Sequence, residues 1–322
     1  MLCSIIISVY NKEDHVAAAV DSALAQSYKN IEVIAIDDGS TDRSVSILQS
    51  YGNRVALVRK TNGGQASAIN HGYNLSRGDV IIFLDGDDVL LPDIVDRIMR
   101  SWTPLLSKVH FRLQKIRANG TELKGKFLPP YRPPPDGDLK PLFREFALYP
   151  TPPMSGNAFA RQFLARVMPI PEGRAACADT LLIGLAAWYG QIGALASPGG
   201  CWRQTETNHS RGGLEKLEEI LRSNDEYIDF VRGRLSADIP NSFGARWPQH
   251  LKQRLIVEKF HRARLYRHLT AYLNAILTWP EYSFLNRAKF VLWAFVVFLF
   301  PAVVLRAIPG IAGQNVRLSV QE

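Results

Sequence analysis

Two groups of acids carry the clearest chemical signal in this sequence: the pair Asp37-Asp38 and the run Asp85-Gly86-Asp87-Asp88. Alternate carboxylates such as Asp85 and Asp87 can share a hard divalent cation, which prefers oxygen ligands and keeps phosphate in its shell. Such a cation neutralises a diphosphate leaving group as its bond to carbon breaks. Gly86 lets the backbone turn tightly between the acids. The competing reading is a solvated acidic turn on a surface loop, with Asp88 or Asp93 capping the helix that follows Pro92. In Asp37-Asp38-Gly39-Ser40-Thr41-Asp42, one Asp can accept a hydrogen bond from a nucleobase N–H, and Ser40, Thr41 or Asp42 can cap a helix. Capping accounts for Thr41 and Asp42 but leaves paired acids ahead of a glycine unexplained.

The elements that must position these acids are legible around them. Apolar, β-rich runs occur at 4–9, 31–36, 55–58 and 80–84, separated by helix-compatible stretches at about 13–26, 42–50 and 65–76. Continuous apolar strands alternating with helices predict an α/β fold with a doubly wound, mostly parallel sheet covered on both faces. Such sheets bind ligands beyond the carboxyl ends of their strands. Tyr10-Asn11, Asp37 to Ser40, and Asp85 to Asp88 all fall at those ends. From residue 109 the pattern changes. Val109, Phe111 and Leu113 alternate with polar residues, and Asn119-Gly120 is a hairpin signal. Two proline-rich stretches, 128–135 and 150–153, predict loops around an acceptor groove. Helices are expected at about 156–168 and 179–189. Beyond about 211 the chain reads as a separate helical region, with stretches at 214–232 and 250–278.

A chain of 322 residues, 47% hydrophobic, has room for one large α/β domain with an appendage. Its three cysteines, Cys3, Cys177 and Cys201, are far apart and suggest neither a zinc site nor a disulfide framework; a reducing cytosolic setting fits them. The first strand begins within three residues of Met1, with no secretory signal pattern before it. The net charge of +8 is concentrated: residues 246–268 hold seven Lys/Arg against Glu258, a local +6. Basic charge attracts nucleic acid or anionic lipid. The neighbouring uncharged, aromatic-rich run 290–305 favours a membrane surface and argues against nucleic acid. As a helix its 16 residues span about 24 Å, short of the roughly 30 Å hydrocarbon core, and Pro301 would kink it. A short span, an interfacial helix and a buried core helix all remain open, the basic residues lying on the cytoplasmic side in the membrane cases.

Taken together, the motifs resemble the family 2 glycosyltransferases. Ser4 to Glu13 looks like that family's opening strand and loop, and Ile36 to Asp42 like its nucleotide-binding signature. Asn62-Gly63-Gly64-Gln65 with Ala68 to Gly72 is similar to its third helix, and Phe83 to Asp88 to its metal motif. Weaker likeness runs to about 212, through Phe111–Gly125, Ser155-Gly156-Asn157, and Trp202-Arg203 to Ser210. The resemblance implies a GT-A-type catalytic domain over 1–212, with a nucleotide-binding half at about 1–100 and an acceptor half at about 101–212. Residues 213–322 would form the helical, membrane-associated appendage.

It also implies an inverting transfer from a nucleotide-diphosphate sugar, a UDP-sugar in the first instance, to a carbohydrate or lipid-linked acceptor in cell-surface glycan assembly. The donor would be held by Ser8, Val9, Tyr10, Asp37, Asp38, Asn62, Gly64, Asp85 and Gly86. Asp87, with Asp85, would bind Mn²⁺ or Mg²⁺. The family's general base opens a later helix in a Glu-Asp pair; here Ala178-Asp179 keeps only Asp179. A carboxylate opposite the leaving group would take the acceptor hydroxyl proton as its oxygen attacks. An N-terminal helix charge is the plainer role for the same residue. Ile69 and Thr205 also depart from the family pattern, where Arg and His are frequent.

Three other classes compete with this one. A phospho-receiver domain needs an acidic pair after its first strand, where this chain has Ser8-Val9-Tyr10-Asn11. A dinucleotide oxidoreductase lacks its Gly-x-Gly-x-x-Gly. A catalytically silent nucleotide-sugar binder rests on the missing Glu before Asp179.

Overall fold

The computed structural model describes residues 1–130, 133–172, 177–205, 214–235, 238–260, 266–279 and 282–299. They form two compact units. The first takes in Met1–Lys140, Pro150–Arg174 and Ala178–Thr205; the second takes in Pro141–Tyr149, Ala175–Cys177 and Glu206–Glu322.

The first unit is built on strands β1 (Cys3–Val9), β2 (Ile31–Asp37), β3 (Ala56–Arg59) and β4 (Val80–Asp85), which pair in parallel in the order β3-β2-β1-β4. Helices α1 (Val16–Leu24), α2 (Ser44–Gln49) and α3 (Gly64–Leu75) connect them. Strand β1 is buried along nearly its whole length because helices cover both faces: Ile5, Ile7 and Val9 share a core with Val16, Ala19, Val20 and Ala23 of α1. Each such aliphatic side chain contributes about 1.5–3 kcal/mol through burial. Gly72 of α3 meets the other face, where an added methyl would fall 2.2 Å from Ile6.

Past β4 the sheet becomes mixed. The short β5 (Val89–Leu90) and α4 (Ile94–Ser101) lead into β6 (Leu106–Arg117), which forms a hairpin with β7 (Glu122–Leu128) around Gly120 at φ 85°. Strand β8 (Asn157–Ala160) lies antiparallel between β4 and β6, and β9 (Gln191–Gln204) runs parallel to β6 and antiparallel to β5. The helix expected over 156–168 is thus two elements, β8 followed by α6 (Arg161–Val167). The four residues of Asn157-Ala158-Phe159-Ala160 are too few for their apolar pattern to tell strand from helix, and pairing on both sides decides it. Helix α7 (Cys177–Tyr189) closes the unit.

The second unit gathers part of α5 (Lys140–Phe146) with α8 (Leu214–Leu235), α9 (Pro248–Phe260), α10 (Tyr266–Thr278) and α11 (Phe284–Leu299). Phe143 packs edge-on to Phe243 at 5.2 Å between ring centres, and Phe146 to Trp279 at 5.0 Å. The Tyr227 hydroxyl donates to the Ala147 carbonyl at 2.6 Å. Leu251 and Leu255 of α9, Leu269, Tyr272 and Ile276 of α10 and Ala294 of α11 form a further core. The expected 250–278 helix is α9 and α10, with 261–265 outside the described residues. Of the apolar run 290–305, residues 300–305 lie outside them too. No helix among the described residues is long and apolar enough to cross a membrane.

Candidate active site

Parallel pairing brings the three loops after β1, β2 and β4 to one edge, with Ser8 registered between Ile36 and Asp85, and Val9 beside Asp37. The backbone there is tightly shared. Asp38 N–H donates to the Val9 carbonyl at 2.8 Å, and Gly86 N–H to the Ser8 carbonyl at 3.0 Å. Gly86 is required by that approach, since a β-carbon would stand 2.9 Å from the Ser8 oxygen. Tyr10 is 48% exposed at the rim, and Asn11 at φ 51° accepts from Thr41 N–H at 2.9 Å.

The two acids of the first pair have different surroundings. Asp37 is buried; one carboxylate oxygen accepts from Ser40 N–H at 3.3 Å, and Arg59 stands 3.8 Å from the other. Asp38 binds Lys60 at 2.5 Å and accepts from Gly63 and Gly64 N–H at 3.0 and 2.8 Å. Its charge therefore sits at the N-terminus of α3, where the helix dipole favours an anion. Asn62 and Gly64 lie on the exposed loop that Asp38 ties down. Asp42 accepts from Ser44 and Glu13 N–H, the helix-entry role expected for it.

In the second group, Asp87 is buried rather than a solvated loop residue, and it pairs with Lys12 at 2.5 Å. Asp88 is buried as well; one oxygen accepts from Arg203 N–H at 2.8 Å, and the other has no hydrogen-bond partner. The Arg203 side chain donates to the Asp87 carbonyl at 2.8 Å. Capping of α4 does not account for these acids, because Asp93, at the helix start, makes no capping bond. Asp85 N–H donates to the Ser155 hydroxyl at 3.1 Å, and its carboxylate accepts from Gln65 at 3.2 Å.

Asp179 opens α7 and joins this group. Its charge, after burial, is the largest influence raising the Asp85 carboxyl, followed by those of Asp88 and Asp87. Burial, then the Asp87 charge, pushes Asp88 up to about 7. Burial raises Asp179 to about 6, against hydrogen bonds from the Met154 and Asp179 backbone amides and the Gln65 side chain. Gln65 thus donates to Asp85 and also helps hold the Asp179 carboxyl down, and Asp179 Oδ1 is buried with no hydrogen-bond partner among the described residues.

Among the described residues no group of three or more His, Cys, Asp or Glu is arranged to hold a metal alone. Asp85 and Asp87 nevertheless suit a divalent cation. They are hard oxygen donors among acids whose ionisation burial and mutual repulsion oppose. The rest of the coordination shell would come from donor phosphates and water.

Four contributors escaped the sequence reading: Lys12, Lys60, Gln65 as a donor to Asp85, and Asp88 as a buried anchor. The only signal for Lys12 and Lys60 was position, each a lysine within a few residues past a strand's carboxyl end. Asn208, His209 and Ser210 of the closing segment lie outside the described residues.

Residues 4–104 match the family model described as glycosyl transferase family 2. An uncharacterized glycosyltransferase of Rickettsia typhi is 44% identical over 95 residues, 30% of this chain and 30% of that one. The match thus spans under a third of the rickettsial relative's length. A Nostoc sp. protein bearing the same description is 28% identical over 306 residues, covering 90% of this chain and 92% of the relative. Among solved structures, S. aureus TarS in complex with UDP-GlcNAc superposes with a TM-score of 0.60 at 17% identity, covering 92% and 87% of the two chains. The mannosyltransferase PcManGT of Pyrobaculum calidifontis, solved with GDP-Man and Mn²⁺, gives 0.54 at 15%, covering 96% and 84%. These two establish a shared fold. The acid groups, their strand-end placement and the matched family model all fall in the same stretch, and over residues 4–104 the chain is similar to the family 2 glycosyltransferases.

Proposed function

We propose that the protein transfers a sugar from a nucleotide-diphosphate donor to an acceptor hydroxyl with inversion, using Asp179 as general base. The observation that carries this reading is the placement of Asp179 beside the acid group of the β4 loop, close enough for its charge to raise the Asp85 carboxyl although the two are far apart in sequence. One oxygen of Asp179, buried, has no hydrogen-bond partner among the described residues, which leaves a lone pair for a proton. A carboxyl held near 6 is ionised at neutral pH yet basic enough to take a hydroxyl proton as bonding to the anomeric carbon develops.

The exposed rim formed by Tyr10, Asn62 and Gly64 is where base and ribose would lie. Asp38 already has three donors, so it would act on the donor chiefly by holding the 62–64 loop and Lys60 in place. Asp87 and Asp85 would hold Mn²⁺ or Mg²⁺, which supplies charge neutralisation at the diphosphate. Lys12, facing Asp87, adds a second positive charge at that point. A UDP-sugar is the first donor to test, since the TarS structure holds UDP-GlcNAc; GDP-Man, present in the PcManGT structure, is the second. A carbohydrate or lipid-linked acceptor, in surface glycan assembly, is the proposed destination.

The test is donor binding and hydrolysis with and without Mn²⁺, in wild type and Asp87→Asn. Asn keeps the buried shape that Ala would lose. The variant should fold normally and lose the metal-dependent part of donor binding. Wild-type affinity in the variant would overturn the metal assignment. Absence of turnover with every donor in a protein that binds one tightly would favour a silent binder.

A further inference from the structure

Helix α11 is apolar on two sides, and only one of them is used. Ala294 and Val297 are buried, and Phe290, Val291, Trp293 and Phe298 pack against the α9–α10 core. On the opposite side Leu285 is 78% exposed, Leu292 66%, Phe295 46% and Leu299 70%, with exposed Ala288 among them. At 100° per residue these five fall within one arc of the helix, and Lys289 is exposed beside it. A stripe of bulky apolar side chains four turns long exceeds the scattered exposure usual on a soluble surface.

We infer that this face rests on an anionic lipid bilayer, with α11 lying in the plane of the headgroups. Charge selects the occupant. Among residues whose side chains are described, α9 and α11 carry Lys252, Arg254, Arg287 and Lys289 against Glu258, with Arg254 paired to Asp225 and Lys289 exposed beside the apolar face. Such a surface attracts phosphate headgroups and repels a second copy carrying the same charge. Lys252 stands over the Phe290 and Trp293 rings, at 5.8 and 5.1 Å. Burial and the nearby Lys289 charge hold its amine below the usual lysine range. Within the described residues the helix has 16 residues, and none of the described helices is long and apolar enough to cross the hydrocarbon core. An in-plane helix with aliphatic residues on one side and basic residues at its flank meets both limits. This inference stands apart from the donor chemistry and is tested without it.

The experiment is flotation of the full-length protein with vesicles of neutral lipid alone and with added phosphatidylglycerol. It uses wild type and a variant carrying Leu285→Gln, Leu292→Gln and Leu299→Gln. All three positions are exposed, so the variant should keep the wild-type melting temperature. Wild type should float with anionic vesicles, much less with neutral ones, and less again at raised salt. The variant should partition about tenfold more weakly or worse. Wild type that stays soluble beside anionic vesicles would overturn the inference, as would a variant that floats equally well. A wild-type dimer that the three substitutions make monomeric, with no vesicle binding by either, would reassign the face to a copy–copy contact.

Discussion

Burial and hydrogen bonding act against each other at Asp179, and the balance leaves its carboxyl near 6. The general base must be ionised, so turnover should hold steady at neutral pH and fall as pH drops through about 6. Asp179→Asn should lower kcat by roughly 10²–10⁴-fold, leave donor Kd nearly unchanged and abolish the acid limb of the pH–rate profile. Single-turnover rates across pH, read beside donor titrations, check all three; activity within a few-fold of wild type would assign the base elsewhere. Lys12 makes a different prediction. It already neutralises Asp87, so a cation entering the site must displace it. Lys12→Met should therefore raise Mn²⁺ affinity several-fold when no donor is present, while weakening donor binding through loss of a positive charge at the diphosphate. Mn²⁺ titration followed by electron paramagnetic resonance reads the first effect, and unchanged or weaker metal binding would refute it.

The loop after β2 works only because Gly39 occupies φ 81°, with an added β-carbon falling 2.8 Å from the Asn62 amide. Gly39→Ala combines backbone strain of about 1–3 kcal/mol with that clash. It should melt at a temperature several degrees below Gly52→Ala, which has a positive φ of 55° but nothing within 4 Å of its added methyl. Equal melting temperatures would mean that the 62–64 loop yields freely. What the sequence made legible at this level follows from the same geometry. Strands β1, β2 and β4 are buried on both faces, so each reads as a mostly apolar run, and the polar residues directly after them had to lie at one edge. The short β8 could not be read, because its apolar residues fit a helix until β4 and β6 flank them. Strand β9 was hidden by Pro198, Gly199 and Gly200 within it. The Lys12–Asp87 and Gln65–Asp179 relationships join loops far apart in sequence and have no local signature.

Over the whole molecule, the helical region does not begin where the first unit ends. The second unit recruits Pro141–Tyr149 from between β7 and β8, and Phe143 and Phe146 lie against Phe243 and Trp279. A chain cut at about residue 245 would thus lose Trp279 and the α9–α10 core while leaving Phe146 bare. It should aggregate or melt earlier than the full chain, by light scattering and calorimetry, whereas the α11 glutamine variant should do neither. A cut chain as stable and monodisperse as the parent would show that α5 needs no cover. The same arrangement imposes a schedule on synthesis. Phe143 and Phe146 leave the ribosome long before Tyr227, Phe243 and Trp279 are made, and at about 5–20 residues per second the wait runs to several seconds. During that interval the nascent chain displays two unpaired phenylalanines, the kind of segment that holding chaperones bind, and the second unit can close only after Trp279 has been made.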